Sequence, residues 1–132
     1  MNGLLGGLVS ITATCHAVSP VEALLIGIIG GTVVSFCEKI LERLYLDDAV
    51  GAIPVHLGAG IWGTLAVPIT NSGANFGTQL LGVIAINGTV FVISLIIWAI
   101  MKNTMGIRLS KEAETKGTDV TETGVIAYAI RD

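Results

Sequence analysis

The feature that most constrains this sequence is a long stretch without formal charge. The 53 residues from Ala49 to Met101 contain no Asp, Glu, Lys or Arg. Two membrane crossings of about 20 apolar residues each, joined by a turn, fit within such a length. A water-soluble protein cannot build its surface from this stretch, because charged residues make up a large share of soluble surfaces. The stretch therefore predicts an integral membrane protein.

A single ionisable side chain, His56, interrupts the uncharged stretch. An ionisable residue within a membrane segment is costly, which makes it a functional-site hypothesis by default. A neutral imidazole offers one hydrogen-bond donor and one acceptor without a net charge, and this suits a pore-lining or proton-handling role. The alternative interpretation is a structural histidine that forms a hydrogen bond with a neighbouring helix.

The composition indicates helices that pack closely in lipid. Of the 132 residues, 52% are hydrophobic and 17 are glycine, and small residues let helix backbones approach one another in a membrane. We predict an all-α fold, a polytopic membrane helix bundle. The small net charge of −3 argues against nucleic-acid binding. The sequence has no metal-ligand cluster, nucleotide-binding loop or catalytic triad, so we expect neither an enzyme nor a cofactor.

Four apolar segments precede a charged tail. We predict membrane segments at about 1–18, 20–37, 50–69 and 79–101, and a tail over 102–132. All seven Lys and Arg residues lie on one side of this arrangement, and the positive-inside rule places that side in the cytoplasm. The tail is therefore predicted to be cytoplasmic, and the loop over 70–78 to lie outside.

Short local signals refine these segments. Gly3 and Gly7 give the first segment one small face, and Gly27 and Gly31 do the same for the second. Ser19-Pro20 is a favourable helix start, and Glu22 then falls in the first turn, where the helix dipole favours a carboxylate. Asp47 or Asp48 is placed to cap the third segment. The Thr12 hydroxyl is placed to bond the backbone of its own helix.

Several blocks of the sequence, taken in order, resemble the ammonium transporter family. The membrane blocks are Asn2–Ala13, Asp47–His56 and Gly60–Leu65, and the tail blocks are Gly106–Ser110, Gly117–Asp119 and Ala127-Tyr128. Together these blocks extend over almost the whole chain. Departures from the family pattern are modest: Leu57 replaces a frequent Gly, Thr118 replaces a common Leu, and residues 123–125 replace a common His-Gly-Glu.

The resemblance implies a fold of eleven transmembrane helices that assembles as a homotrimer in the plasma (inner) membrane, with one pore per subunit. This chain resembles the last portion, from part of helix eight through helix eleven and the tail. In the family, two histidines face each other in a narrow apolar pore, and His56 matches the second. Thr12 matches a threonine at the pore wall. Asp48 matches an Asp eight residues before that histidine, which supports the pore.

The resemblance also implies partners and leaves alternatives open. The expected partners are ammonium or ammonia, the lipid bilayer and a PII-type signalling protein at the cytoplasmic face. The chain is read first as a segment or truncated product of an ammonium transporter. A second hypothesis is a regulatory or ammonium-sensing subunit that associates with intact transporters. A third is a small oligomeric exporter, which would require a membrane-embedded carboxylate, with Glu22 as its candidate.

Overall fold

The computed structural model describes residues 1–126, and every regular element among them is a helix. The tail residues Ala127 and Tyr128 lie outside this described part. The chain divides into two compact units, residues 1–88 and 89–132. Three helical spans are long and apolar enough to cross a membrane: Pro20–Arg43, Ile53–Thr70 and Phe76–Thr104. The predicted fold class, an all-α polytopic membrane helix bundle, is confirmed.

The first unit holds the helices that position the candidate site. Helix α1 (Asn2–Thr12) is apolar, but its 11 residues extend only about 16 Å, which is shorter than a bilayer core. Helix α2 (Pro20–Arg43) follows. A π-helical turn over Ile53–Gly58 leads directly into α3 (Ala59–Thr70). Helix α4 (Phe76–Thr104) starts in this unit and continues into the second.

Helix α2 begins as predicted, at Ser19-Pro20. The Ser19 Oγ accepts the Glu22 N–H at 3.4 Å, and the Glu22 Oε2 accepts the Ser19 N–H at 2.7 Å. This reciprocal capping box satisfies two backbone donors that a helix start otherwise leaves without partners. Pro20 lacks an N–H and is already restricted to a helical φ, so it costs nothing at the first helical position.

The predicted glycine faces of α1 and α2 pack against each other. A side chain built on Gly7 would lie 3.1 Å from the carbonyl oxygen of Gly27, and one built on Gly3 would lie 3.7 Å from that of Gly31. Residues early in α1 therefore contact residues late in α2, and the two helices run antiparallel. Without side chains between them, the backbones approach closely, as the glycine spacing predicted.

Ser10 lies where α1, α2 and α3 meet, and it is fully buried. Its Oγ donates to the carbonyl oxygen of Gly6 at 2.7 Å and lies 3.3 Å from that of Ala59. The two neighbouring helices present glycines to it: side chains built on Gly30 or Gly63 would overlap Ser10. A small residue that satisfies its own hydroxyl thus allows three helices to converge on one point.

Two polar contacts attach α3 to its neighbours. The indole Nε1 of Trp62 donates to the carbonyl oxygen of Ile26 in α2 at 3.1 Å. The hydroxyls of Thr14 and Thr70 lie 2.6 Å apart and connect the turn that follows α1 to the end of α3. Trp62 therefore serves helix packing. These bonds hold α3, which carries the candidate site at its start, in a fixed position in the first unit.

The second unit contains the rest of α4 and the charged tail. Helix α5 (Lys111–Lys116) is capped by the Ser110 hydroxyl, which accepts the Ala113 N–H at 3.2 Å. A second π-helical turn follows at Asp119–Thr123. Arg108 and Glu114 form an ion pair at 3.2 Å, but both side chains are more than half exposed, so its contribution to stability is small.

Candidate functional site

His56 lies in the π-helical turn that precedes α3, and its side chain is exposed. The preceding residues Pro54 and Val55 are buried instead. Val55 belongs to the apolar core of the unit together with Val34 and Ala59. One side of the turn is therefore buried against α2, and the His56 imidazole lies on the other side, away from the apolar core.

The local backbone departs from an ordinary α-helix at this residue. The N–H of Ala59 bonds the carbonyl oxygens of both Pro54 and His56, so the first of these bonds spans five residues. Proline has no N–H to donate and disturbs the normal bonding pattern one turn earlier. A single π-helical turn within a longer helix is frequently found at functional sites.

Asp48 caps the helical span that carries His56. Its Oδ1 accepts the Ala52 N–H at 2.9 Å, and its Oδ2 accepts the Ile53 N–H at 2.7 Å. The bond from Ile53 has the largest effect and holds the pKa of the Asp48 carboxyl below its ordinary value. The predicted cap is therefore present, eight residues before the imidazole that it helps to place.

This cap predicts a pH-dependent contribution to stability. Because the folded-state pKa of Asp48 is lowered, its stabilising effect is present above the unfolded-state pKa and is lost as the pH falls through the folded-state value. We expect Asp48→Ala to lower the Tm at neutral pH, and the difference from the parent protein to shrink below pH 3.8. Thermal unfolding in detergent, followed by tryptophan fluorescence at a series of pH values, measures both.

Asp47→Ala is the matched control, since it removes the same charge from the adjacent position. Asp47 makes no hydrogen bond to the helix start within the described residues, so this variant should keep a Tm close to that of the parent at every pH. Equal Tm profiles for the two variants would contradict a capping role for Asp48.

The His56 side chain opens onto a groove of about 270 Å³ between the start of the Ile53–Thr70 span and the first part of α4. Its lining residues are His56, Leu57, Gly60, Ile61, Thr64, Gln79, Gly82, Val83, Ile86 and Asn87. Four of them carry polar side chains, and none carries a formal charge. The groove is therefore an apolar space with a few neutral hydrogen-bonding groups, which suits a small polar molecule.

The polar groups of the groove differ in whether they are already bonded. The Thr64 hydroxyl donates to the Gly60 carbonyl oxygen at 2.9 Å, and the Asn87 Nδ2 donates to that of Val83 at 2.8 Å. Within residues 1–126, the His56 imidazole makes no hydrogen bond to a neighbouring helix. Both of its ring nitrogens are therefore accessible to a molecule in the groove.

Thr12, the third predicted site residue, lies outside the His56 groove. Its side chain is exposed, its Oγ1 donates to the carbonyl oxygen of Val9 at 2.7 Å, and it is not among the residues that line the His56 groove. The bond to its own helix is the one that the sequence allowed. The structure thus places Asp48 at the start of the helical span that carries His56 but does not bring Thr12 to the groove, and the role of Thr12 at a pore wall stays a prediction.

Gln79 and Asn87 line the groove but are not among the site residues predicted from the sequence. The sequence does contain a signal for them. They are the two amide side chains of α4 before residue 88, and their spacing of eight residues places them on the same side of the helix. The prediction of this segment rests on its apolar, uncharged composition, which does not distinguish one face of the helix from another. The hairpin partner of the His56 segment was therefore missed.

Comparisons with known proteins agree with the sequence blocks. The family model described as the Ammonium Transporter Family matches residues 1–128. The chain is 39% identical to a putative ammonium transporter of Synechocystis sp., over 94% of this chain and 28% of that protein. It is 37% identical to ammonium transporter Amt2 of Archaeoglobus fulgidus, over 96% of this chain and 31% of that protein. It therefore spans less than a third of the length of these relatives.

Proposed function

Because the chain belongs to the ammonium transporter family, we propose that it takes part in the passage of ammonium or ammonia across a membrane. In this proposal it acts as the C-terminal part of a transporter, and the groove at His56 forms one wall of the pore. The observation that carries the proposal is an uncharged groove with an exposed imidazole in a membrane segment. The family is one of transporters rather than enzymes.

The chemistry of the groove fits ammonia better than a hydrated metal cation. Moving an isolated charge into an apolar space costs several kcal/mol or more of free energy, and moving neutral ammonia there costs much less. A pore that removes a proton at its mouth and passes ammonia along neutral groups therefore selects against metal cations. His56 would hydrogen-bond the substrate and a partner histidine from another part of the transporter, and would relay the proton.

Other residues have supporting roles in the proposal. Asp48 fixes the start of the span that carries His56, through two backbone hydrogen bonds. Thr12 would contribute to the pore wall in contact with parts of the transporter outside this chain. The assembly would be a homotrimer in the plasma membrane with a cytoplasmic tail, which agrees with the Lys and Arg distribution. A PII-type signalling protein would act on that tail.

Uptake measurements test the proposal. The full product of the gene is expressed in cells that lack their own ammonium uptake, and growth on low ammonium and uptake of labelled methylammonium are measured. Growth and saturable uptake, competed by ammonium, are the expected results. The same cells are also tested with an intact ammonium transporter expressed beside it. Lack of uptake alone, combined with altered uptake by the intact transporter, would contradict the proposal and favour the regulatory subunit.

A further inference from the structure

The π-helical turn that carries His56 packs against the second half of α2. Val34 of α2 is fully buried and packs with Val55, the residue before His56. A Cβ built on Gly58, at the end of the turn, would lie 3.0 Å from the Cys37 Sγ, so α2 also adjoins this residue closely. A different kind of contact, between polar side chains, holds the segment just before the turn.

This polar contact joins Asn2, at the start of α1, to Glu38 of α2. The Asn2 Nδ2 donates to the Glu38 Oε1 at 2.8 Å, and both side chains are half-buried. An ionised carboxylate only accepts hydrogen bonds, so the nitrogen of the Asn2 amide, rather than its oxygen, must face Glu38. The bond therefore fixes both the position and the orientation of the Asn2 amide.

The amide nitrogen of Asn2 lies directly against Gly51. A Cβ built on Gly51 would overlap the Asn2 Nδ2. Gly51 is buried and has a φ of 70°, in the left-handed region that favours glycine. Its carbonyl oxygen accepts the N–H of Val55 at 3.1 Å, and Val55 directly precedes His56. A shift of the Asn2 amide is therefore transmitted through Gly51 to the residue that carries the imidazole.

These contacts lie inside a packed part of the first unit. Helix α1, helix α2 and the π-helical turn each pack against the other two. Asn2, Glu38 and Gly51 also border one polar cavity of about 420 Å³, together with Glu42 and the capping residue Asp48. The bond between Asn2 and Glu38 is therefore formed within the packed helices of this chain, beside the Asp48 cap.

We infer that Asn2 and Glu38 are positioning residues for the proton relay at His56, because the hydrogen bond between them fixes Gly51 and so the turn that carries the imidazole. This inference rests on the proposed function and adds two residues that act through Gly51 rather than by contact with the substrate. A proton transfer needs heavy-atom distances of about 2.6–3.2 Å. Passage of neutral ammonia depends less strictly on the position of one ring, so loss of the bond should impair proton transfer more than uptake.

The test measures the charge moved per substrate molecule. Asn2→Leu removes the donor at similar size and is introduced into the full gene product, and Asn2→Ala, which adds no bulk, is measured beside it. Labelled methylammonium uptake and the accompanying current are recorded together. We expect the charge per substrate to fall by roughly tenfold, since a misplacement of about 1 Å can cost a reacting group about 100-fold. A purely structural role would lower current and uptake in proportion, and an unchanged ratio in both variants overturns the inference.

Variants of the acceptor separate the hydrogen bond from the charge. Glu38→Leu should reproduce the effect of Asn2→Leu, whereas Glu38→Gln keeps an acceptor for the Asn2 amide and should keep most of the parental ratio. If Glu38→Gln lowers the ratio as much as Glu38→Leu does, the charge of the carboxylate matters rather than the bond, and the inference is overturned.

Glu42→Leu is the matched control, because it makes the same substitution one turn later beside the same cavity. Glu42 is exposed and makes no side-chain hydrogen bond within residues 1–126, so its variant should keep the parental ratio. Surface expression and size-exclusion profiles show which variants fold. A fall in the ratio for Glu42→Leu equal to that for Glu38→Leu would contradict a specific role of the Asn2–Glu38 bond.

The parent protein distinguishes failure of this inference from failure of the proposed function. If the parent takes up substrate with a current and the Asn2 variants keep its ratio, only the inference fails. If the parent takes up substrate without a current, there is no relay to position, so the inference fails and the uptake function stands. If the parent is present in the membrane and takes up no substrate, both fail.

Discussion

Replacing His56 with alanine is expected to lower methylammonium uptake by about 10- to 100-fold. The variant removes a hydrogen-bonding group from an uncharged groove that has few alternatives. In the proposed relay His56 carries a proton, so its hydrogen bond to the substrate has a charged partner and is worth about 1.5–3 kcal/mol, and about 1.4 kcal/mol corresponds to a factor of ten. Because the side chain is exposed and makes no hydrogen bond to another helix within residues 1–126, the Tm should stay close to that of the parent protein.

A second substitution at this position separates hydrogen bonding from proton relay. His56→Gln keeps one donor and one acceptor but does not titrate near neutral pH. If the imidazole relays a proton, this variant should pass neutral ammonia while the electrical current that accompanies uptake is lost. Equal currents per substrate in the parent and in His56→Gln would exclude proton relay through this residue.

His16→Ala is the matched control, since it removes the other histidine of the chain. His16 does not line the groove, so uptake should be unchanged. Uptake of parental rate and selectivity by His56→Ala would remove His56 from the mechanism, whatever the result for His16. The three variants test separate contributions to uptake. His16→Ala tests whether the position of the histidine matters, His56→Ala tests the hydrogen bond, and His56→Gln tests the proton relay.

The parts of the fold that could be predicted are those set by short-range chemistry. The start of α2 depends on Ser19, Pro20 and Glu22, which lie within one turn of each other, and the predicted helix start is present. The glycine faces of α1 and α2 are periodic in the sequence, so close packing at each face could be predicted, although not that the two faces would contact each other. Asp48 as a cap likewise follows from its position next to an apolar segment.

The parts that could not be predicted depend on three-dimensional contacts. In the π-helical turn at Ile53–Gly58, backbone hydrogen bonds span five residues instead of the four of an α-helix. This difference leaves the spacing of apolar residues in the sequence nearly unchanged. The role of Ser10 depends on glycines of two other helices, at sequence distances that no local pattern connects. Likewise, the groove combines the His56 segment with Gln79 and Asn87, two amide side chains on a helix that is strongly apolar on average.

Gly63→Ala is expected to lower stability more than any other glycine-to-alanine change in the described helices. A Cβ at this position would overlap the backbone oxygen of Ser10 and lie 2.8 Å from its Cα. Since the obstacle is backbone, no rotamer change can relieve the overlap, and α3 must move away from α1. Overpacking in a well-packed interior typically costs about 1–3 kcal/mol and occasionally more, and here it also separates the Ser10 hydroxyl from Ala59.

Gly60→Ala is the matched control, because it adds the same methyl group three residues earlier on α3. Its Cβ would meet only Val9 Cγ1, at 4.0 Å, so the Tm should match or exceed that of the parent, given the higher helix propensity of alanine. Unfolding in detergent, followed by tryptophan fluorescence, compares the two. Since α3 carries the His56 turn at its start, displacement from α1 should also impair uptake in Gly63→Ala. Equal Tm values for the two variants would show that the Ser10 contact does not fix α3.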